Sequence, residues 1–415
     1  MPNSRASQAD DGAARNSQFS RRTFLGAGVG VAAAATLQMA GPAFADSVPS
    51  GQPNGPAPGP VPAPGPVTAP FGPVVVANSG GSYARAVRLS TAAPGKSTTL
   101  LGTYPTFFSG FPIYRSDDDG QTWQQQSILN VGGFALQPSF LELPRAFAGL
   151  PEGALLFACN SFGNFTSTQI QLYSSTDGGL TWQFVSTVAQ GGRPNTTNGA
   201  TPVWEPFLLL HSDSLICYYS DQRDPNYGQK ISYQASTDLL TWGPVVSAAT
   251  GTTYPERPGM ATVARLRGDL WMMTYEFGKP VDPANPNQAD YTYHVHYRIA
   301  SDPESFLSSP DTPLVTQDGV VPNASPVVSW SDWGGPTGTI IVTDNDHQRF
   351  FINSALGDPQ EWTTLSSPMP AGYSRFTLPL DGPGSPPPQD GGLVFVITGP
   401  KYGARGPVVA GVIQL

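Results

Sequence analysis

A motif that returns about every sixty residues constrains this chain more than any other feature. Ser116-Asp117-Asp118-Asp119-Gly120-Gln121-Thr122-Trp123 recurs as Ser175-Thr176-Asp177-Gly178-Gly179-Leu180-Thr181-Trp182. A worn copy follows at Ser236-Thr237-Asp238-Leu239-Leu240-Thr241-Trp242. Fainter echoes are Ser301-Asp302-Pro303-Glu304-Ser305-Phe306 and the stretch from Ser354 to Trp362, so the closing aromatics step by 59, 60, 64 and 56 residues. Each copy follows a β-prone run such as Phe111-Pro112-Ile113-Tyr114-Arg115 or Ile170-Gln171-Leu172-Tyr173. In such a turn Asp accepts backbone N–H groups, Gly supplies positive φ, and Trp packs on the strands. The motif therefore staples hairpins and performs no catalysis. Two more apolar runs precede each copy, for example Phe207-Leu208-Leu209-Leu210 and Leu215-Ile216-Cys217-Tyr218-Tyr219. Four strands per repeat make a propeller blade. Blade-opening segments near Tyr83, Gln137, Glu205, Arg257, Ser325 and Tyr373 predict an all-β, six-bladed β-propeller over 73–415. The strand Pro73–Ala77 is expected to complete the last blade.

The segment before the repeats has other uses. Ser20-Arg21-Arg22-Thr23-Phe24-Leu25 is a twin-arginine export motif, followed by a weakly apolar Gly/Ala stretch and the small-x-small site Ala43-Phe44-Ala45. Residues 1–45 are expected to be a cleaved signal and the mature protein to be secreted. An uncleaved anchor helix is the alternative, opposed by the glycines and by Pro42. Positions 48–72 hold nine Pro and five Gly, so 46–72 reads as an extended spacer.

Composition removes several functions. Charged residues make up 12%, about half the roughly 25% usual for soluble domains, and the net charge is −9. No nucleic-acid footprint, phosphate loop or nucleotide fingerprint appears. Cys159 and Cys217 hold matching positions in neighbouring blades, and buried free thiols fit them better than a disulfide. His294-Val295-His296 looks like a ligand pair, but alternation puts both on a polar face with Thr292 and Arg298 and supplies no third ligand. No metal or cofactor is expected, and a monomer is.

Topology then sorts residues onto faces. The turn motifs occupy one rim, so the starts of innermost strands and the ends of second strands share the other. That rim collects Tyr83, Arg85, Thr103, Tyr104, Gln137, Asn160, Glu205, Asp221, Gln222, Arg257, Glu276, Asp344, Tyr373 and Arg375. In a chain with few charges such a cluster points to acid/base chemistry in a cleft. Glu205 and Glu276 stand among aromatic and apolar neighbours, where an ionised carboxylate is costly unless paired or used. Pairing with Arg257 or Arg375 is the structural alternative.

The turns resemble the Asp boxes of sialidase-like propellers. Pro202-Val203-Trp204-Glu205-Pro206-Phe207, Tyr218-Tyr219-Ser220-Asp221-Gln222-Arg223-Asp224, Gly228-Gln229-Lys230, Arg257-Pro258-Gly259-Met260 and Thr274-Tyr275-Glu276 resemble glycoside hydrolase family 93. The resemblance spans roughly 73–415 and is densest over 202–278. It implies an exo-α-1,5-L-arabinanase that releases arabinobiose with retention, acting on plant cell-wall arabinan. By that resemblance Glu205 and Glu276 are the catalytic carboxylates and Tyr373, in Gly372-Tyr373-Ser374-Arg375, is a supporting tyrosine. Trp204, Asp221, Gln222, Arg257 and Arg375 are the expected substrate-binding residues. Glu205 is taken as nucleophile and Glu276 as acid/base, with the reverse left open. A sialidase would carry an Arg-Ile-Pro segment before blade 1, where this chain has Tyr83-Ala84-Arg85-Ala86-Val87. A non-catalytic sugar-binding propeller is the other alternative.

Overall fold

The computed structural model describes residues 67, 69–90, 98–108, 110–284, 291–380, 392–402, 404 and 406–415. The expected export signal and most of the spacer lie outside them. Six four-stranded antiparallel sheets form a six-bladed β-propeller. Blade 1 runs Arg85–Arg88, Leu100–Thr103, Phe111–Ser116 and Gln124–Leu129; blade 2 runs Ala135–Glu142, Leu155–Ser161, Thr168–Ser175 and Gln183–Gly191. Blade 3 comprises Val203–His211, Ser214–Asp221, Lys230–Ser236 and Val246–Ala249; blade 4 comprises Arg257–Arg265, Trp271–Pro280, Tyr291–Ala300 and Thr312–Pro313. Blade 5 holds Val327–Ser331, Thr339–Thr343, Arg349–Asn353 and Thr363–Ser366. Blade 6 takes Phe376–Pro379, Leu393–Thr398 and Gly406–Gln414 from the end of the chain, and its outermost strand, Phe71–Gly80, from the beginning. The expected boundary at 73 falls inside that closing strand, which pairs Val74 with Ala410 and Val75 with Val409.

The apolar runs of the second strands are continuous because both faces of a blade are covered. Along Ser214–Asp221, Leu215, Cys217 and Tyr219 join the core shared with blade 2, while Ile216 and Tyr218 join the core shared with blade 4. That is the period of two expected of a strand. It also explains the cysteines. Cys159 packs toward blade 1 and Cys217 toward blade 2, so a whole blade separates two buried free thiols.

All five turn motifs connect the third and fourth strands of their blades. In blade 1 the Ser116 hydroxyl donates to Asp118 at 2.7 Å, Thr122 donates its N–H and hydroxyl to the same carboxylate at 2.9 and 2.6 Å, and Trp123 Nε1 donates to the Gly120 carbonyl at 2.9 Å. Gly120 has φ of +95°, and a Cβ there would stand 2.6 Å from the Phe395 ring, so glycine is required twice over. The worn copy dispenses with glycine by holding Leu239 at φ of 64° with its side chain in the core. Trp242 correspondingly reaches across to Ser186 of blade 2 at 3.0 Å.

These turns carry a pH dependence. Burial opposes ionisation of Asp177, but the Thr181 hydroxyl, Thr181 N–H, Ser175 and Leu180 bonds outweigh it and hold the carboxyl down at about 2. A depressed carboxyl stabilises the fold above its unfolded value of about 3.9, and that contribution fades as pH falls toward the folded value. Asp177→Asn should therefore lower the melting temperature at pH 7. The gap from wild type should narrow between pH 4 and 2, as scanning calorimetry at a series of pH values would show.

Candidate active site

Every blade opens on a residue in left-handed backbone: Tyr83 (φ 72°), Gln137 (60°), Glu205 (61°), Met260 (56°), Ser325 (45°) and Ser374 (57°). In blades 2, 3 and 4 it lies where the register between first and second strands slips, between Leu136 and Ser139, Trp204 and Phe207, and Gly259 and Thr262. A bulge of this kind re-aims a side chain out of the ladder, at a cost of about 1–3 kcal/mol for the strained residue. In blades 1, 5 and 6 the left-handed residue instead precedes the first strand, whose ladder to the second runs without a slip.

Glu205 is 3% exposed and stands on the bulge of blade 3. Ser220, at the end of the second strand of its own blade, donates to Oε2 at 2.6 Å; the Met260 N–H of blade 4 donates to the same oxygen at 3.2 Å. Gln137 of blade 2 donates to Oε1 at 3.4 Å. Three blades thus orient one carboxylate. Glu276 is 1% exposed, lies opposite Gly259 in the ladder, and accepts the Ser325 N–H of blade 5 at 3.0 Å. The bulge at Gly259–Met260 therefore lies between the two carboxyls, touching one and pairing with the other's strand.

A cleft opens on this face, lined by Ser82, Tyr83, Pro105, Phe107, Leu136, Gln137, Phe162, Thr196, Trp204, Glu205, Tyr373 and Tyr402. Its two walls differ. One is tyrosine, with Tyr83 and Tyr402 ring centroids 6.0 and 4.9 Å from that of Tyr373. The other is Phe and Trp, with Phe162 5.6 Å from Trp204. The Tyr373 hydroxyl points at Met260 Sδ, 3.1 Å away, which ties this wall to the bulge beside Glu205.

Known structures share this fold. The arabinobiose complex of a family 93 α-L-arabinofuranosidase from Fusarium graminearum is 35% identical, with a TM-score of 0.75 over 83% of this chain and 98% of that one. The arabinobiose complex of the Penicillium chrysogenum α-L-arabinanase is also 35% identical, with a TM-score of 0.74 and the same coverages. The chain belongs to glycoside hydrolase family 93. This family 93 protein is accordingly an enzyme of the glycoside hydrolase class. The NanB sialidase of Streptococcus pneumoniae, at 10% identity and a TM-score of 0.53, shares the fold. Neither protein-family models nor curated protein sequences give a match.

In this family 93 hydrolase the expected site residues separate into three groups, and Glu276, 1% exposed, lies buried outside the residues that line the cleft. Trp204, Glu205 and Tyr373 line the cleft. Gln222 and Arg257 stand behind it. The Trp204 indole N–H donates to Gln222 Oε1 at 2.9 Å, and Arg257 donates to the same oxygen at 2.9 Å and to Gln229 at 2.8 Å. Arg257 also donates to Asn198 at 2.6 Å and to the Gly228 carbonyl at 3.1 Å, which anchors the loop that carries Thr196. Arg257 is thus placed as a positioning residue for the Trp204 wall.

Asp221 and Arg375 are not brought to the cleft wall. Asp221 is closed by its own neighbour, accepting the Arg223 N–H at 2.9 Å and two guanidinium bonds at 2.8 Å. Arg375 is fully buried between blades 5 and 6, donating to the Pro370, His347 and Arg349 carbonyls with its guanidinium 4.4 Å above Phe350. Burial pushes its pKa down to about 10 against the opposing influence of Asp344. The fork of Arg suits carbonyls at a blade junction, and sequence position alone does not reveal that use.

Two further expectations change. His296 is 7% exposed rather than on an open polar face, because the segment leading to Asp311 folds over it and Asp311 bonds its Nδ1 at 2.8 Å. Among the described residues no group of three or more His, Cys, Asp or Glu could hold a metal ion. Tyr275 and Phe277 do not surround Glu276, since adjacent residues of a strand face opposite ways; both pack in the core toward blade 3 while Glu276 faces blade 5.

Sequence reading missed Ser220, Met260 and Ser325 as partners of the carboxyls, although Ser220 and Met260 sit within quoted motifs and Ser325 was named as a blade opening. Gly259 also gains a reason. A Cβ there would fall 2.3 Å from Gln229 Nε2 and 3.0 Å from Ser220 Oγ, the hydroxyl that holds Glu205. Gly259→Ala should lower kcat about 10- to 100-fold, since a misplacement near 1 Å is worth about that much. A thermal shift measured alongside the kinetics separates this from unfolding.

Proposed function

We propose that the protein is an exported, retaining exo-α-1,5-L-arabinanase that releases arabinobiose from the ends of linear arabinan. The observation that carries this reading is the alignment with two enzymes bound to arabinobiose over 98% of their lengths. Glu205, in the cleft wall, attacks the anomeric carbon as the glycosidic C–O bond breaks, and Glu276 gives its proton to the leaving oxygen. Water then attacks the glycosyl-enzyme ester while Glu276 takes the proton back. Tyr373 supports the site through Met260, and Trp204, braced by Gln222 and Arg257, gives the sugar an apolar face to rest on. The twin-arginine motif of residues 20–25 supports export, and replacement of both Arg21 and Arg22 by Lys should leave precursor in the cytoplasm.

Incubation with debranched arabinan, with chromatography of early products, tests the reading. Arabinobiose as the first product is expected. Arabinose alone would make the enzyme an arabinofuranosidase, a ladder would make it endo-acting, and no product would reject the substrate. Proton NMR of the first-formed anomer decides between retention and inversion.

A further inference from the structure

The Phe wall of the cleft does not stop at its mouth. Phe107 and Phe162, which line the cleft, continue into Phe134, and Phe134 lies 5.1 Å from both Phe108 and Phe165. Phe108 is 69% exposed and Phe165 40% exposed. Both stand on loops that follow second strands, Leu100–Thr103 in blade 1 and Leu155–Ser161 in blade 2, on the cleft face of the ring. Core packing accounts for Phe134 and Phe162, which are buried, but not for two large rings presented to water.

The backbone sharpens the point. Phe107 has φ of 67° and Phe165 φ of 60°, a region that bulky side chains avoid. The loops are pinned there: Thr106 donates N–H and hydroxyl to the Gly110 carbonyl at 3.1 and 2.7 Å, the Phe165 N–H donates to Phe162 at 2.8 Å, and Phe107 bridges to Ala135. Strain held at a cleft mouth, by hydrogen bonds that fix ring positions, marks a built surface.

We propose that Phe108 and Phe165, backed by the buried Phe134, form a leaving-side subsite, on which the arabinan main chain beyond the scissile bond rests its apolar C–H faces. The occupant follows from continuity. The ridge shares Phe107 and Phe162 with the cleft that holds Glu205, so a chain leaving that cleft along the Phe wall meets it next. A rigid apolar platform suits a neutral polysaccharide, because each ring covers sugar C–H groups without paying for new side-chain ordering. This inference rests on the arabinan reading and adds where the polymer lies.

The test is kcat/KM for linear arabino-oligosaccharides of three to eight units beside an aryl arabinobioside, whose leaving group is too short to reach the ridge. Wild-type kcat/KM should climb with length, and the Phe108→Ala/Phe165→Ala double variant should flatten the climb, losing about five- to tenfold on the longest substrate, mainly through KM. Phe108→Tyr/Phe165→Tyr should restore it, which a merely structural role for the rings would not require. Equal losses on the long and the aryl substrate, or no loss on either, would overturn the ridge. Wild-type enzyme inert on every arabino-oligosaccharide would instead overturn the substrate reading and remove this occupant with it. An active wild type with flat length dependence would reject the ridge alone.

Discussion

Glu205→Ala should reduce kcat on arabinan by about four to six orders of magnitude, the range over which removal of a single catalytic residue acts in a site whose other parts persist. The reason is geometric. The left-handed bulge aims this carboxylate out of the ladder, and donors from Gln137, Ser220 and Met260 fix it from three blades. Among the six left-handed blade-opening residues Glu205 is the one acid, so no other blade offers a carboxylate from the same backbone position. The truncated side chain leaves room for a small anion. Azide should then attack the anomeric carbon directly, restore turnover, and give a glycosyl azide of inverted configuration, identifiable by NMR. Glu205→Gln should keep arabinobiose binding while losing hydrolysis, which distinguishes an enzyme from a sugar-binding propeller. An azide-insensitive variant would place the nucleophile elsewhere.

Glu276→Ala should behave differently, with a loss that depends on the leaving group. General acid catalysis contributes about 10²- to 10⁴-fold, and kcat/KM for arabinan should fall by that much because a sugar alkoxide needs its proton. For a dinitrophenyl arabinobioside the leaving oxygen is stable without one, so the fall in kcat/KM should be under about tenfold. Glu276 is fully buried and held by the Ser325 N–H, so its carboxyl points toward blade 5 and away from the core rings of Tyr275 and Phe277. If Glu205→Ala shows the leaving-group dependence and Glu276→Ala shows azide rescue, the two roles are exchanged. If neither variant loses activity, this face is not where the chemistry occurs.

Much of the fold was legible because each blade repeats its own instructions. The Ser, Asp, Gly, Thr and Trp of the turn interact within eight residues, so their pattern survives in the chain itself, and even the worn copy at Ser236–Trp242 keeps its Ser–Asp–Thr bonds. Counting strands between those turns was enough to place Glu205 and Glu276 on the opposite rim. The strain that aims Glu205 was not legible. Tyr83, Gln137, Glu205, Met260, Ser325 and Ser374 share a backbone state and no side-chain chemistry, so no composition rule marks them. The Phe ridge was missed for a related reason: Phe108, Phe134 and Phe165 come from separate loops, and no local pattern joins them.

What the sequence determined by itself is what local interactions decide: five turn motifs, four strands to a blade, six blade openings, the rim that carries the turns, and the two acids on the other. Ring closure decided the rest. It brings Arg85 to Ser374 across 289 residues, makes the first strand the edge of the last blade, and spends Arg375 and Asp221 on blade structure while leaving Trp204, Glu205 and Tyr373 in the cleft wall. Whether a rim side chain faces solvent or a neighbouring blade depends on contacts between segments tens to hundreds of residues apart. Those contacts exist only once all six blades have closed around the axis.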